Sequence, residues 1–345
     1  MRATLLLPLL ALAFACALPA GAQTVHGTLV DESGGGGVAG ALVVLADASG
    51  TTWARALTDA AGRFSLRAPA PGRYTLRAER VGHRAASMDV LLEAHRRAEV
   101  RLATRPEPFV LPPVDVVADR RCTVRPGQGL AAYALWEQAR RALEATAYVE
   151  EAELVEYTVR VQRRHVHFRR GRVRTYDDPP RRVTGRPFHT LTPAELAAGG
   201  FVREEGDSIA FYGPDARLLL SDEFLDAHCL YADPDASDLR TAALAFTPVR
   251  RRERGSIEGV LRIDRATGEL RSVEYHFTGL GGSERSTPTG GEVEFRRLPS
   301  GVWIVSGWRL RTGYFVRSAS ASGGFQAPTE LRAARGEVTD IVARP

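Results

Sequence analysis

Between Val25 and Leu102 apolar and polar residues alternate in short runs, broken by Gly, Pro or Asp at the roughly 8–12-residue spacing of a β-sandwich. The pattern predicts seven strands: Val25 to Val30, Ala41 to Ala46, Thr52 to Thr58, Arg63 to Arg67, Gly72 to Glu79, Ser87 to Leu92 and Ala98 to Leu102. Gly34 to Gly37 reads as a flexible turn, and Pro71-Gly72 reverses the chain so that Tyr74, Leu76 and Ala78 alternate onto the core face. Pro106, Pro108, Pro112 and Pro113 then mark a stiff linker over 105–120, with a strand from Val114 to Ala118. After it the period changes. Leu135, Ala139, Ala142 and Leu143 fall at helical spacing within Gly129 to Ala147, with Tyr133 and Trp136 widening the buried face.

From Glu151 the period returns to two, and six or more antiparallel strands are expected. Leu154 to Gln162 pairs with Val166 to Tyr176, and Ile257 to Asp264 with Leu270 to Phe277. Glu292 to Arg297 pairs with Val302 to Thr312 around a turn at Pro299-Ser300-Gly301. Thr192-Pro193-Ala194-Glu195 has the form of a capping box with Gly199 as a stop, and Ser221 to Ala227 suggests another short helix. The expected fold is mainly β: a seven-stranded sandwich over 23–104, then, over 121–345, an α+β domain with a large half-barrel-like antiparallel sheet and one long helix.

The first 22 residues have a different composition. Arg2, an apolar stretch from Leu5 to Leu18 and Ala20-Gly21-Ala22 form a signal peptide, with cleavage expected after Ala22. A lipoprotein reading would use Cys16, but Ala13-Phe14-Ala15-Cys16 lacks the usual leucine. Export to the periplasm or medium, or to an outer-membrane-associated site, follows as an expectation. Cleavage leaves Cys122 and Cys229, a pair expected to form a disulfide across about 107 residues, worth at most about 4–5 kcal/mol by loop entropy. A redox pair or half a metal site would compete, though neither cysteine has C-x-x-C spacing. No later apolar run reaches the length of a membrane helix.

The segments His26-Gly27-Thr28-Leu29-Val30 and Thr58-Asp59-Ala60-Ala61-Gly62-Arg63-Phe64 carry a resemblance. They are similar to the carboxypeptidase regulatory-like domain, a transthyretin-type sandwich whose recurring T-D-x-x-G-x-F element this is. Where that family often has an aromatic residue after the later V-G, this chain has His83. The resemblance implies a non-catalytic accessory domain. A zinc peptidase needs a His-x-x-Glu pair, and none of the eight histidines is followed by one. No cofactor or metal is expected. The order of one long helix and a meandering sheet resembles, distantly, the half-barrel of bacterial lipoprotein-carrier proteins.

Charge adds local detail. The net charge is +5, and every one of the 46 basic residues is Arg, so the global excess looks like coding bias. Residues 160–186 hold ten arginines against Asp177 and Asp178. Arg163, Arg164, Arg169, Arg170, Arg172 and Arg174 form a candidate anion-binding patch for lipid headgroups or polyanionic glycans. Against this, residues 187–240 carry a net −8, and Glu150, Glu151, Glu153 and Glu156 lie beside the same strand, so internal neutralisation is the competing expectation. Nucleic acid is not expected, since export removes the protein from it and only Phe168 and Tyr176 offer stacking.

His165 and His167 share a strand face, and with His189 or His228 they would make a metal site, opposed by the neighbouring arginines. Asp233, Asp235 and Asp238 resemble half a calcium loop without its closing Glu. Gly35-Gly36-Gly37-Val38-Ala39-Gly40 matches a dinucleotide string but reads as a turn. Trp303 and Trp308 are expected on opposite faces of one strand, one in the core and the other buried against a helix, with a carbohydrate platform as the alternative. No nucleophile elbow or phosphate loop occurs. The reading is an exported, non-enzymatic envelope protein that binds or scaffolds. The alternatives are a carrier of lipid or another apolar ligand, a carbohydrate-binding surface protein and, last, an uncharacterised hydrolase.

Overall fold

A computed structural model describes residues 23–94, 96–113, 129–167, 171–206, 208–249, 255–279, 289–314 and 330–344. The expected signal peptide, Cys122, the strand expected at Val114 to Ala118, and Arg169 and Arg170 lie outside the described residues. The protein is mainly β.

All seven expected strands form the N-terminal sandwich. One sheet is ordered β4-β1-β7, from Arg63–Ala68, Gln23–Asp31 and Arg97–Thr104. The other is ordered β3-β2-β5-β6, from Thr52–Leu57, Leu42–Asp47, Gly72–Glu79 and Ala86–Leu92. Strand alternation places Val25, Leu29, Val43, Leu45, Phe64, Leu66 and Leu76 between the sheets. The turn before β4 works as its sequence requires: the Asp59 carboxylate accepts the N–H groups of Ala61 and Arg63 at 2.9 and 2.8 Å. Gly62 sits at φ 76° with the Leu29 carbonyl where a Cβ would be.

The second domain begins with α1, Leu130–Glu151, one turn longer than the apolar pattern predicted. Its alanines, Ala131, Ala132, Ala139 and Ala142, are buried and let the helix approach the sheet closely. The sheet comprises β8 (Val155–His167), β9 (Arg172–Asp177), β10 (Arg181–Thr184), β13 (His228–Asp233), β14 (Thr241–Pro248), β15 (Ser256–Asp264), β16 (Leu270–Thr278), β17 (Gly290–Arg297), β18 (Trp303–Tyr314) and β19 (Glu330–Ala343). Its order is β10-β8-β19-β18-β17-β16-β15-β14-β13, with β9 also paired to β8. The last strand thus lies between the first long strand and β18. The expected strand Val166 to Tyr176 is corrected: β8 keeps its alternation through His167, so Val166 belongs to it and faces Val173 across the turn.

Between β10 and β13 lie α2 (Pro193–Gly199), the hairpin β11 (Val202–Glu205) and β12 (Ser208–Phe211), α3 (Ala216–Leu219) and α4 (Asp222–Ala227). The capping box at Thr192 and Glu195 is present, and Gly200 rather than Gly199 caps the end. The helices and the inner sheet face share one core, including Leu135, Leu143, Leu196, Phe224, Leu261, Val273 and Trp303.

The proline-rich stretch does not hold the domains apart. Phe109 and Leu111, set between its prolines, pack onto the second core, and Val81 of the sandwich is part of that core. Arg140 on α1 donates to Glu79 at 2.8 Å, and the Tyr148 hydroxyl donates to the Arg55 carbonyl at 2.8 Å. Gly40 and Gly301 meet backbone to backbone, at φ 67° and 87°, where either Cβ would collide.

Candidate functional site: a basic β-blade

Strand β8 explains the site by its own alternation. Val155, Tyr157, Val159 and Val161 face the interior. The next residues on that face are Arg163, His165 and His167, because the strand outruns the core it packs on. Register then fixes the neighbours. On β9, Arg172 lies opposite His167, Arg174 opposite His165 and Tyr176 opposite Arg163. On β19, Glu330, Arg332 and Ala334 lie opposite the same three residues. The result is a blade whose outer strand, β9, is exposed at all six positions.

The charges are unequally matched. Asp178 accepts from Arg163 Nε and Nη2 at 3.0 and 2.9 Å, which holds the aspartate below its ordinary pKa. Glu330 accepts from His165 Nδ1 at 2.8 Å and from Arg332 Nε at 2.9 Å. The far nitrogen of His165, Nε2, lies 2.9 Å from the Tyr176 hydroxyl, with the rings edge-on at 5.2 Å. Arg164, Arg172 and Arg174 make no ion pair among the described residues. Beside them Val173 is 50% and Tyr176 45% exposed. Arg172, Arg174 and Tyr176 therefore share one face of the blade with His165 and His167, while Arg164 and Val173 lie on the opposite face.

Among the described residues, little of the expected neutralisation by residues 187–240 is seen. Among the described residues only Arg186 crosses, to Asp215 at 3.3 Å. Other acidic groups of that segment are engaged in holding backbone. Asp215 caps α3, Glu195 closes the box at Thr192, and Asp233 and Asp238 accept N–H groups in their own turn, which explains the half-calcium pattern. Of the four glutamates near β8, Glu156 pairs with Arg182 at 2.9 Å, Glu151 lies 3.9 Å from Arg55, and Glu153 pairs with Arg344 at 3.0 Å. Glu150 is not on a solvated face. It is 9% exposed, its Oε2 has no partner, and burial, with Asp215 nearby, pushes its carboxyl up to about 8 against the opposing pull of Arg186 and Arg217.

The histidines do not converge. His228, 5% exposed, sits on β13 at the far edge of the sheet from β8, stacked on Phe224 at 4.1 Å and held by the carbonyls of Phe224 and Ile257 at 2.9 and 3.2 Å. Among the described residues no trio of metal-ligating side chains assembles. Trp303 and Trp308 are corrected too. A bulge in the β17–β18 register after Val305 shifts the alternation, so both tryptophans reach the same core, and Trp308 lies 5.5 Å from Phe188. Cys229 is buried on β13.

A second feature is a cleft of about 420 Å³ between α2, α4 and the ends of β13–β15, floored by Leu196, Phe201, Leu218 and Phe224. Sequence reasoning missed this cleft. It also missed Glu330 and Arg332, whose strand carries Gly336 and two arginines and so lacks a clean apolar alternation.

Among solved structures, this chain resembles Klebsiella pneumoniae 5-hydroxyisourate hydrolase at 25% identity, covering 25% of this chain and 91% of that one, with a TM-score of 0.21. A DUF1329 family protein from Desulfovibrio piger is 10% identical, covering 61% and 92%, with a TM-score of 0.29. A LolA superfamily protein from Nitrosomonas europaea is 10% identical, covering 60% and 94%, with a TM-score of 0.26. The chain matches no curated protein. Residues 24–105 match the model of the carboxypeptidase regulatory-like domain, as the T-D-x-x-G-x-F turn and the seven-stranded sandwich require.

Proposed function

We propose that this is an exported, non-enzymatic binding and scaffolding protein of the cell envelope, and that its blade docks on an anionic membrane surface. The observation that carries the reading is Arg172 and Arg174, which make no ion pair among the described residues and share one face of the exposed strand β9 with Tyr176, while Arg164 and Val173 present the same chemistry on the other face. Guanidinium groups suit lipid phosphates, and a half-exposed phenol and valine suit the interfacial region. The signal-peptide pattern supports export, and the parity of Cys122 and Cys229 supports a disulfide in the mature chain. Thiol titration of the denatured, unreduced protein checks the latter, with no free thiol expected. Co-sedimentation with vesicles containing phosphatidylglycerol tests the docking. Binding should fall as salt rises and be reduced in an Arg164→Gln, Arg172→Gln, Arg174→Gln variant.

A second reading is favoured by the cleft. Its volume lies within the roughly 300–1,000 Å³ range of ligand sites, and its floor is aliphatic and aromatic. It supports a carrier of a small apolar ligand. Native mass spectrometry of protein purified from the exporting cell tests it, a retained apolar mass being the expected result.

A further inference from the structure

The outer face of the β4-β1-β7 sheet is a second basic surface of different chemistry. Its three strands lie in register, so the outward residues form rows, exposed on β4 and β7 and, at Thr24 and Thr28 of β1, half-buried. Arg67, Thr24 and Arg97 make one row, Ser65, His26 and Glu99 the next, and Arg63, Thr28 and Arg101 the third. Strand spacing sets the flanking strands roughly 10 Å apart and the rows roughly 7 Å apart. Arg63 is held by Asp59 at 2.9 Å. Arg67, Arg97 and Arg101 are exposed and make no ion pair among the described residues, and Glu99 is the one carboxylate in the rows. Hydroxyls and an imidazole lie between the arginines, and the sandwich's exposed large apolar residues, Trp53, Met88 and Leu91, belong to the other sheet.

We propose that this face binds a linear acidic polysaccharide laid across the strands, its carboxylates on Arg67, Arg97 and Arg101 and its hydroxyls on Thr24, Ser65 and Thr28. A face without large exposed apolar side chains gives a bilayer little to insert, whereas rows of guanidinium and hydroxyl groups match a polymer that alternates carboxylate and hydroxyl. The surface is separate from the blade, so either assignment stands or fails alone.

The test uses the full mature chain and polygalacturonate as probe. An Arg67→Gln, Arg97→Gln, Arg101→Gln variant keeps the exposed positions polar and should melt at the wild-type temperature. It should bind the polymer about tenfold or more weakly at low salt while co-sedimenting normally with anionic vesicles. The blade variant should show the reverse. Unchanged polymer affinity in the sandwich variant, or loss of polymer binding in the blade variant alone, overturns the assignment. So does equal loss of vesicle binding in the sandwich variant, which would make the face a general anionic contact.

Discussion

A carboxyl group that is nine-tenths buried with an oxygen lacking any partner is tolerated only while it holds its proton, and Glu150 is in that position. Burial is the main cause and Asp215 the second, raising its pKa from the ordinary 4.5 to about 8. The native state therefore binds the proton more tightly than the unfolded chain. The associated stability is complete below about pH 4.5 and is lost as pH rises towards about 8. Glu150→Gln should therefore leave the melting temperature at pH 5 nearly unchanged and stabilise the protein at pH 9 by about 2 kcal/mol or more. Equal effects at both pH values would contradict the assignment. The burial of Glu150 was legible in principle. It stands four residues after Thr146, seven after Leu143 and eleven after Ala139, on the stripe that faces the core. Composition hid it, because a run of glutamates looks the same whether its members are solvated or not.

At the scale of elements, alternation and capping specified local structure well and strand pairing poorly. The turn at Asp59, the capping box at Thr192 and the seven sandwich strands follow from residues close together in sequence. The place of β19 between β8 and β18 depends on contacts between distant residues, and no short-range pattern announces it. Trp308 shows the cost of one extra residue. Strict alternation puts it opposite Trp303, and the bulge returns it to the same core, where Gly336 on β19 leaves room for the indole. A Cβ at Gly336 would fall 2.1 Å from the ring, so Gly336→Val should cost about 1–3 kcal/mol, read as a lower urea midpoint at unchanged m-value. Ala139, fully buried on α1, should respond similarly to Ala139→Leu, because the helix would be pushed off the sheet.

For the whole molecule, the proline-rich stretch suggested a spacer, and the structure ties the domains together instead. Phe109 and Leu111 are apolar residues whose partners lie on another element, so composition alone could not show what they cover. Arg140 concentrates the link, reaching Glu79 of the sandwich as well as Glu137 and Glu144 of its own helix. The account predicts one calorimetric unfolding transition for the protein. Arg140→Ala should cost about 2–4 kcal/mol and broaden or split that transition as the sandwich is released. A variant that melts like the wild type would show that the ion-pair cluster does not couple the two cores. The arginine patch was half legible. The run of basic residues marked the place, but whether acids neutralise it depends on where those acids go, and many of them are turned inward to cap backbone.

Docking through the blade is most directly tested by hydrogen–deuterium exchange of the mature protein with and without anionic vesicles. The account predicts slowed exchange in Arg172–Asp177 and the facing residues of β8, abolished at high salt, with the amides around Leu196 and Phe224 unchanged. Protection confined to the cleft between α2 and α4, or none in β9 under conditions where the protein co-sediments with the vesicles, would contradict it.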